Sequence, residues 1–524
     1  MSNNGRVAVF DATLRDGGYY TSWDFPDDLV DDYVAAIAGA EIAGVEIGYR
    51  SPLLNGYRGR FYYTPKDTLV GVRAGLRSDQ VLALMFNTKE CTPADVAPIL
   101  DATQGYVDMV RQAVAPKDLG LGIEIAREIK QGGFRTALNV MYLSHWHQDP
   151  TEVLDLLADQ ASFVDVVNFV DSYGACFPDQ VGQVFAIASQ RLANPLGFHG
   201  HDNLSLALAN SIAAIDNGAT YVDATILGMG RGAGNLRTEL IIQYLGAQSG
   251  QYADMLKFSR IVDRFQPLLD QHHWGTNIPY SVAAFANLPQ ADVMDWLGKR
   301  RYSTSAVVEA LQGDERTVDR RELPALKLDA QAVPARCLLI GGGATVPEHA
   351  TALKQFCQRA DACVIHSSLR HVDLFADYPG PQIVCMVGHE ATKRASNSVL
   401  LNHAIIPVVT EPPRNQGVVP EGLADRCRQV HPFGVADAHS LGPVDDVSPL
   451  SLALGVTLAL GFKHVDLAGF DGYSGEASGD LDMSTEVHKL LEDFQARHSG
   501  TEIISLTPTR YPLQAGSVYH EIGP

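Results

Sequence analysis

Two histidines one residue apart close a short apolar run, Pro195-Leu196-Gly197-Phe198-His199-Gly200-His201. Residues two apart on a strand point to the same side. The two imidazoles can therefore grip one metal ion; the alternative is a solvent-exposed pair beside a turn. Asp202-Asn203 is a good N-cap for a helix at 204–217, which Asn217-Gly218 stops. A strand at Thr220–Thr225 leads into Gly228-Met229-Gly230-Arg231-Gly232-Ala233-Gly234-Asn235. Its four glycines let backbone come very close to a ligand. Near the N-terminus, Val7-Ala8-Val9-Phe10 runs into Asp11-Ala12-Thr13-Leu14-Arg15-Asp16-Gly17-Gly18. A guanidinium beside a carboxylate at a strand end can be an ordinary turn ion pair. Its combination with the distant HxH and glycine runs argues against that plain reading.

Taken together, TLRDG at 13–17, the Glu of Gly44-Val45-Glu46-Ile47-Gly48 and the FHGHDN…GMGRGAGN run resemble the DRE-TIM metallolyases. That superfamily includes the 3-hydroxy-3-methylglutaryl-CoA lyases, the isopropylmalate and homocitrate synthases, and the 4-hydroxy-2-oxovalerate aldolases. The likeness spans about residues 5–310 and is nearest the aldolase branch. It implies a divalent metal on Asp16, His199 and His201, with Asn235 as a further ligand or adjacent group. Such donors suit Mn²⁺ or Mg²⁺, and also Co²⁺ or Zn²⁺. It also implies an anionic 2-oxo acid such as pyruvate, whose enolate oxygen Arg15 stabilises while Glu46 arranges the site. The other reactant is an aldehyde. Asp171, in Asp171-Ser172-Tyr173-Gly174, matches a family motif, or is a turn carboxylate bonded to backbone. In one respect the chain departs from this branch: no His follows Arg15-Asp16-Gly17-Gly18, where the aldolases carry their base. Tyr19, His145 and His147 are the candidates left, and an unperturbed tyrosine is a poor base at neutral pH. Two rival functions remain: a Claisen-type synthase joining an acyl-CoA to a 2-oxo acid, and a non-catalytic metal- or ligand-binding regulatory protein.

These residues need a frame. Strand-like runs at 7–11, 44–48, 81–86, 106–111, 135–142, 164–170, 196–200 and 220–225 alternate with helical patterns such as 27–42, 120–131 and 177–192. Alternation of this kind predicts a parallel sheet, and eight units in about 240 residues predict a (β/α)₈ barrel. Nearly all the residues named above then fall at carboxyl ends of strands, where barrel enzymes build their sites. Arg111 ends the fourth strand, and Arg15, Arg50, Arg111 and Asp171 are expected to bind substrate. The segment 49–66, with Arg50, Arg58 and Arg60 among tyrosines, is either a lid over an anion or a solvated loop.

At 524 residues the chain is too long for one core. The expected division is a barrel at 1–250, a helical extension at 251–322, a charged, proline-containing linker at 323–334 and a smaller doubly wound, Rossmann-like domain at 335–524. The last is read from Arg336–Ile340, Gly341-Gly342-Gly343-Ala344-Thr345-Val346, and strand-like runs at 362–366, 382–387, 404–409 and 464–471 around a helix at 448–460. Glycines there can seat a phosphate or serve turn geometry alone. The net charge of −21 argues against nucleic acid or an anionic membrane as a partner. No apolar run is long enough to span a bilayer. No signal peptide is read at the start, and seven cysteines without CxxC spacing fit a reducing cytoplasm. A homo-oligomer is expected.

Overall fold

The computed structural model describes residues 7–298, 304–312, 318–328, 333–387, 405–415, 418–419, 422–434, 447–473 and 480–523. They form two compact units, 1–294 and 295–524. The division falls inside the run of helices that follows the barrel.

In the first unit β1 (Ala8–Asp11), β2 (Gly44–Tyr49), β3 (Val81–Asn87), β4 (Met109–Val114), β5 (Arg135–Val140), β6 (Val166–Asp171), β7 (Leu196–Gly200) and β8 (Ala219–Ala224) close a parallel barrel in chain order. Helices including Asp27–Ala38, Leu119–Gln131 and Pro178–Arg191 cover its outside. Their apolar faces bury against outward residues such as Val45, Leu84 and Val110 on one side and Leu138, Val167 and Phe198 on the other. The inside is layered. Phe10, Ala83, Met109, Ala137 and Val166 form an apolar floor with Tyr221 packed on it. Two residues further along, alternation brings the next inward layer. That layer is polar: Glu46, Arg111, Asn139, Asn168, His199 and Asp223, all buried.

The fourth strand lies later than 106–111. Tyr106 and Val107 belong to the turn leaving the short helix Asp101–Thr103, where both amides donate to Thr103 O. Arg111 is consequently the third residue of its strand, inside the barrel rather than at its rim.

The second unit is a parallel sheet of eight strands. Their spatial order is Arg428–Val430, Ile405–Thr410, Gln382–Cys385, Cys363–His366, Arg336–Ile340, His464–Ala468, Glu502–Ser505 and Gln514–Ala515. Cys337 and Leu339 enter one core, Leu338 and Ile340 the other, so both faces are covered, as in a doubly wound sheet. The described part of the stretch expected to link the domains packs here. Leu326 is buried and its amide donates to Gln429 O, while just ahead of it Val318–Asp319, within the expected helical extension, is a strand paired antiparallel with Arg414–Asn415. Apolar burial and the need to satisfy backbone groups draw this charged stretch onto the sheet; residues 329–332 lie outside the described residues. The seven cysteines are buried and unpaired. Among the described residues no helix is long and apolar enough to cross a membrane.

Candidate active site

The turn after β1 is held by Asp11. Its carboxylate accepts from Thr13 N (2.9 Å), Tyr33 Oη (2.7 Å) and Thr238 Oγ1 (2.6 Å). The short helix Thr13–Asp16 follows, and Trp23 Nε1 donates to Arg15 O (2.8 Å). This places Asp16 opposite the end of β7. Asp16, His199 and His201, all buried, offer donor atoms within 4.8 Å of one another.

Around them runs a closed ring of ionic contacts. Arg15 Nη1 donates to Asp16 Oδ1 (2.5 Å) and Arg15 Nε to Glu46 Oε2 (2.7 Å). Glu46 Oε2 lies 3.6 Å from Arg111 Nη1, and Arg111 Nη2 donates to Asp223 Oδ2 (2.5 Å). His199 Nδ1 is 3.0 Å from Asp223 Oδ2, and His199 Nε2 returns to Asp16 Oδ2 at 3.7 Å. Burial alone would raise the Asp16 and Asp223 carboxyls. Arg15, with a hydrogen bond from Asn235, overcomes this at Asp16, and Arg111, with a hydrogen bond from His199, overcomes it at Asp223, so both stay below the ordinary carboxylate range. An acceptor at Nδ1 makes His199 a donor there and leaves its Nε2 lone pair facing Asp16.

The donor set fits a divalent cation. His201 is kept neutral by burial and by His199 beside it, its pKa pushed down to about 3, and its buried Nδ1 has no partner among the described residues. Asn235 donates through Nδ2 to Asp16 Oδ2, while its buried Oδ1 likewise has none among them. The glycine loop delivers Asn235 by folding back on β7. Asn235 bridges His201, Leu236 N donates to Gly200 O (3.1 Å) and Asp202 N to Gly234 O (2.8 Å). Gly230 permits this approach: a Cβ there would lie 2.2 Å from Asn235 Nδ2 and 2.9 Å from Asp16 Oδ2. The loop is braced by Tyr20 Oη on Gly232 O (2.7 Å) and by Trp274 Nε1 on Leu227 O (2.9 Å). Trp274 belongs to the expected helical extension at 251–322.

The other expected residues fall elsewhere. Arg50 donates to Ile99 O, Tyr63 O and Thr64 O, so its guanidinium fastens the loop after β2 to its neighbours instead of facing a substrate. In the same segment Arg58 sits over the Trp23 and Tyr62 rings, and Tyr57 bonds Asp24. Arg111 lies inside the barrel in the same layer as His199, tied to Asp223 and close to Glu46. Asp171 accepts from Ala175 N and Cys176 N (3.0 Å each), and burial outweighs these bonds to raise it to about 6. It is built as the turn carboxylate. His145 packs against the Tyr142 and Tyr173 rings and takes no part in the ionic ring. Burial lowers the pKa of His147. Tyr19 stands in the short helix Gly18–Thr21, just after Asp16. Its hydroxyl is 3.4 Å from that of Tyr49, and the Arg231 guanidinium lies 5.3 Å from its ring centre.

Asp223 was not anticipated from the sequence. The available signal was an acidic residue within the strand-like run Tyr221-Val222-Asp223-Ala224, since a buried carboxylate needs a partner. Asp223→Asn is expected to keep the shape of the side chain but lose its charge. Metal affinity should fall about 10- to 100-fold, the scale for groups that orient a ligand. Calorimetric metal titration of the variant checks this, and unchanged affinity would limit Asp223 to balancing Arg111.

Comparison with known proteins agrees with the geometry. The HMGL-like family model matches residues 122–266. A 4-hydroxy-2-oxovalerate aldolase of Brevibacillus brevis is 29% identical over 273 residues, which is 50% of this chain and 77% of that one. The enzyme of that name from Thermomicrobium roseum is 32% identical, covering 45% and 66%. The N-terminal domain of a Bacteroides vulgatus protein assigned as an aldolase is 40% identical with a TM-score of 0.54, covering 58% of this chain and all of that domain. The barrel, the ring inside it and these relatives lead to one conclusion: the first unit of the chain belongs to the HMGL-like, or DRE-TIM, superfamily of aldolases and lyases and is similar to the 4-hydroxy-2-oxovalerate aldolases.

Proposed function

We propose that this aldolase cleaves or forms a 4-hydroxy-2-oxo acid, with pyruvate or a close relative as the 2-oxo half and Mn²⁺ or Mg²⁺ as the cation. The observation that carries this is the charge of the ring. Three carboxylates, Asp16, Glu46 and Asp223, meet two guanidiniums, Arg15 and Arg111, leaving one buried negative charge in excess. A divalent cation reverses that to one positive charge, and a monoanionic 2-oxo acid then brings it to zero.

Asp16, His199 and His201 would hold the cation, with Asn235 beside them. When bound, it supplies Lewis acidity toward the 2-oxo group. In the cleavage direction the 4-hydroxyl proton passes to water through the half-exposed Tyr19 hydroxyl, which accepts it as it gives up its own, and the C3–C4 bond breaks. C4 becomes the aldehyde carbonyl, and the electron pair moves to the C2 oxygen. Arg15 is the donor for that oxygen. Its Nε and Nη1 are held by Glu46 and Asp16, while Nη2 has no partner among the described residues. A guanidinium fixed at two nitrogens presents the third without further reorganisation.

Tyr19 is assigned to the 4-hydroxyl, in the place of the missing histidine. Tyr19→Phe should lower aldol cleavage roughly 100-fold, the lower end for acid–base assistance. Exchange of pyruvate methyl protons with solvent does not involve that hydroxyl and should persist. Equal loss of both activities would make Tyr19 structural. The assignment as a whole is tested by incubating the protein with Mn²⁺, pyruvate and a series of aldehydes, with products read by mass spectrometry. Addition of pyruvate to at least one aldehyde is expected. Release of free CoA from an acyl-CoA and a 2-oxo acid, without aldehyde addition, would overturn it in favour of a Claisen synthase.

A further inference from the structure

The second unit carries a cavity of its own, about 750 Å³, at the carboxyl ends of its central strands. It opens where the chain changes direction across the sheet. From Arg336–Ile340 the strands proceed outward through Cys363–His366 and Gln382–Cys385. The chain then returns through the helix Pro449–Ala459 to place His464–Ala468 on the opposite side. Such a switch point leaves a crevice between diverging loops, the usual ligand position in open parallel sheets. The two loops are knitted together at its base: Gly341 N donates to Ala468 O (2.8 Å) and Gly343 N to Gly469 O (2.9 Å).

We propose that this cavity is a nucleotide site, with phosphate on the Gly341–Ala344 loop and the base against the aromatic side chains that line it. Four observations support it. First, packing explains only two of the three consecutive glycines. A Cβ on Gly341 would meet Gly469 O at 2.4 Å, and one on Gly343 would meet the Asp471 carboxylate at 2.4 Å. A Cβ on Gly342 would find nothing nearer than Arg370 Cδ at 3.8 Å, and Gly342 has no positive φ. The protein itself does not require glycine there, whereas a ligand lying on the backbone would. Second, the Gly342 and Ala344 amides donate to no group among the described residues, while the flanking amides of Gly341, Gly343 and Thr345 are all engaged. Third, two basic side chains converge on this loop. Arg370 Nη1 donates to Gly342 O (3.1 Å), and His371 Nε2 lies 3.1 Å from Gly343 O. Fourth, Phe470, Tyr473 and Tyr511 line the same cavity and offer faces on which a planar base can stack. The Asp471 carboxylate accepts from Thr345 N (3.0 Å) and Thr345 Oγ1, so its charge is already partly met; its remaining acceptor capacity suits sugar hydroxyls. The volume falls within the roughly 300–1,000 Å³ of small-molecule sites.

The test is equilibrium binding of ADP, UDP and NAD⁺ to the full chain, each with and without Mg²⁺, alongside adenosine and inorganic pyrophosphate as the separated halves. At least one nucleotide should bind with a micromolar dissociation constant and more tightly than either half. Because Gly342 has open space around its Cα and an ordinary backbone conformation, Gly342→Val should fold and keep aldolase activity. It should weaken that nucleotide at least tenfold, and Arg370→Ala should weaken it through the phosphate end alone, leaving adenosine unaffected. Failure of all three nucleotides to bind below 1 mM overturns the proposal, as does unchanged affinity in Gly342→Val. Tight pyrophosphate binding with no gain from the nucleoside would likewise overturn the nucleotide assignment.

Discussion

His201→Ala yields a folded barrel that has lost its metal and its aldolase activity. The imidazole is buried beside Asp16 and His199, yet its Nδ1 bonds nothing among the described residues. Removing it deletes a donor to the cation without breaking a hydrogen bond of the native fold. Loss of a group that only orients a ligand costs roughly 10- to 100-fold in metal affinity, and deleting the ligand itself should exceed that. His199→Ala should lose metal equally but differ in stability. His199 closes the ring between Asp223 and Asp16, so its removal leaves Asp223 with Arg111 alone. In EDTA, His201→Ala should therefore melt close to metal-free wild type, and His199→Ala lower. Elemental analysis after dialysis and thermal unfolding measure both effects. Wild-type metal content in either variant would remove these histidines from the ligand set.

The cluster of Asp16, His199 and His201 was legible in the sequence for a geometric reason. Two histidines spaced by two, at the end of an apolar run, must share a face of a strand. The barrel was legible because its strands and helices alternate at regular intervals; Asp16 belongs to a motif that follows the first strand and Glu46 to one within the second. Tertiary pairing was not legible. Asp223 is brought to His199 by the register between β7 and β8, where the two residues are direct neighbours. That register cannot be read from either strand alone. Arg111 illustrates a boundary error with a functional consequence. With the strand placed three residues too early, the guanidinium sits at the rim as a substrate group. With the strand at Met109–Val114 it is an interior counter-ion. Arg50 was attractive as a substrate group because it follows β2, but one of its partners, Ile99 O, is 49 residues away. In the second unit the central strands stood out as continuous apolar runs, as expected when both faces are buried. The short strands Arg428–Val430, Glu502–Ser505 and Gln514–Ala515 were missed because so few residues carry little pattern.

Arg15→Lys should lower turnover far more than it lowers metal affinity. Arg15 has three nitrogens in one plane. Nε is committed to Glu46 and Nη1 to Asp16, and Nη2 remains for the substrate. A lysine ammonium keeps the positive charge but concentrates it on one atom with no fixed fork. It can satisfy one carboxylate, or lie between two, but cannot hold both and also present a rigid donor to the C2 oxygen. Long-range attraction to an anionic substrate depends on charge and should largely survive, so KM should change little. Stabilisation of the growing negative charge depends on a pre-positioned donor, and its loss falls on the transition state. Removing one such donor costs roughly 100- to 1000-fold in turnover, which is the drop expected at saturating metal. A purely structural Arg15 predicts the opposite pattern. It would hold the turn between Asp16 and Glu46, so its replacement would weaken metal binding and lower thermal stability while turnover recovered once metal was restored. Metal titration followed by turnover at saturating metal separates the two, and near-normal turnover there would leave Arg15 with the structural role alone.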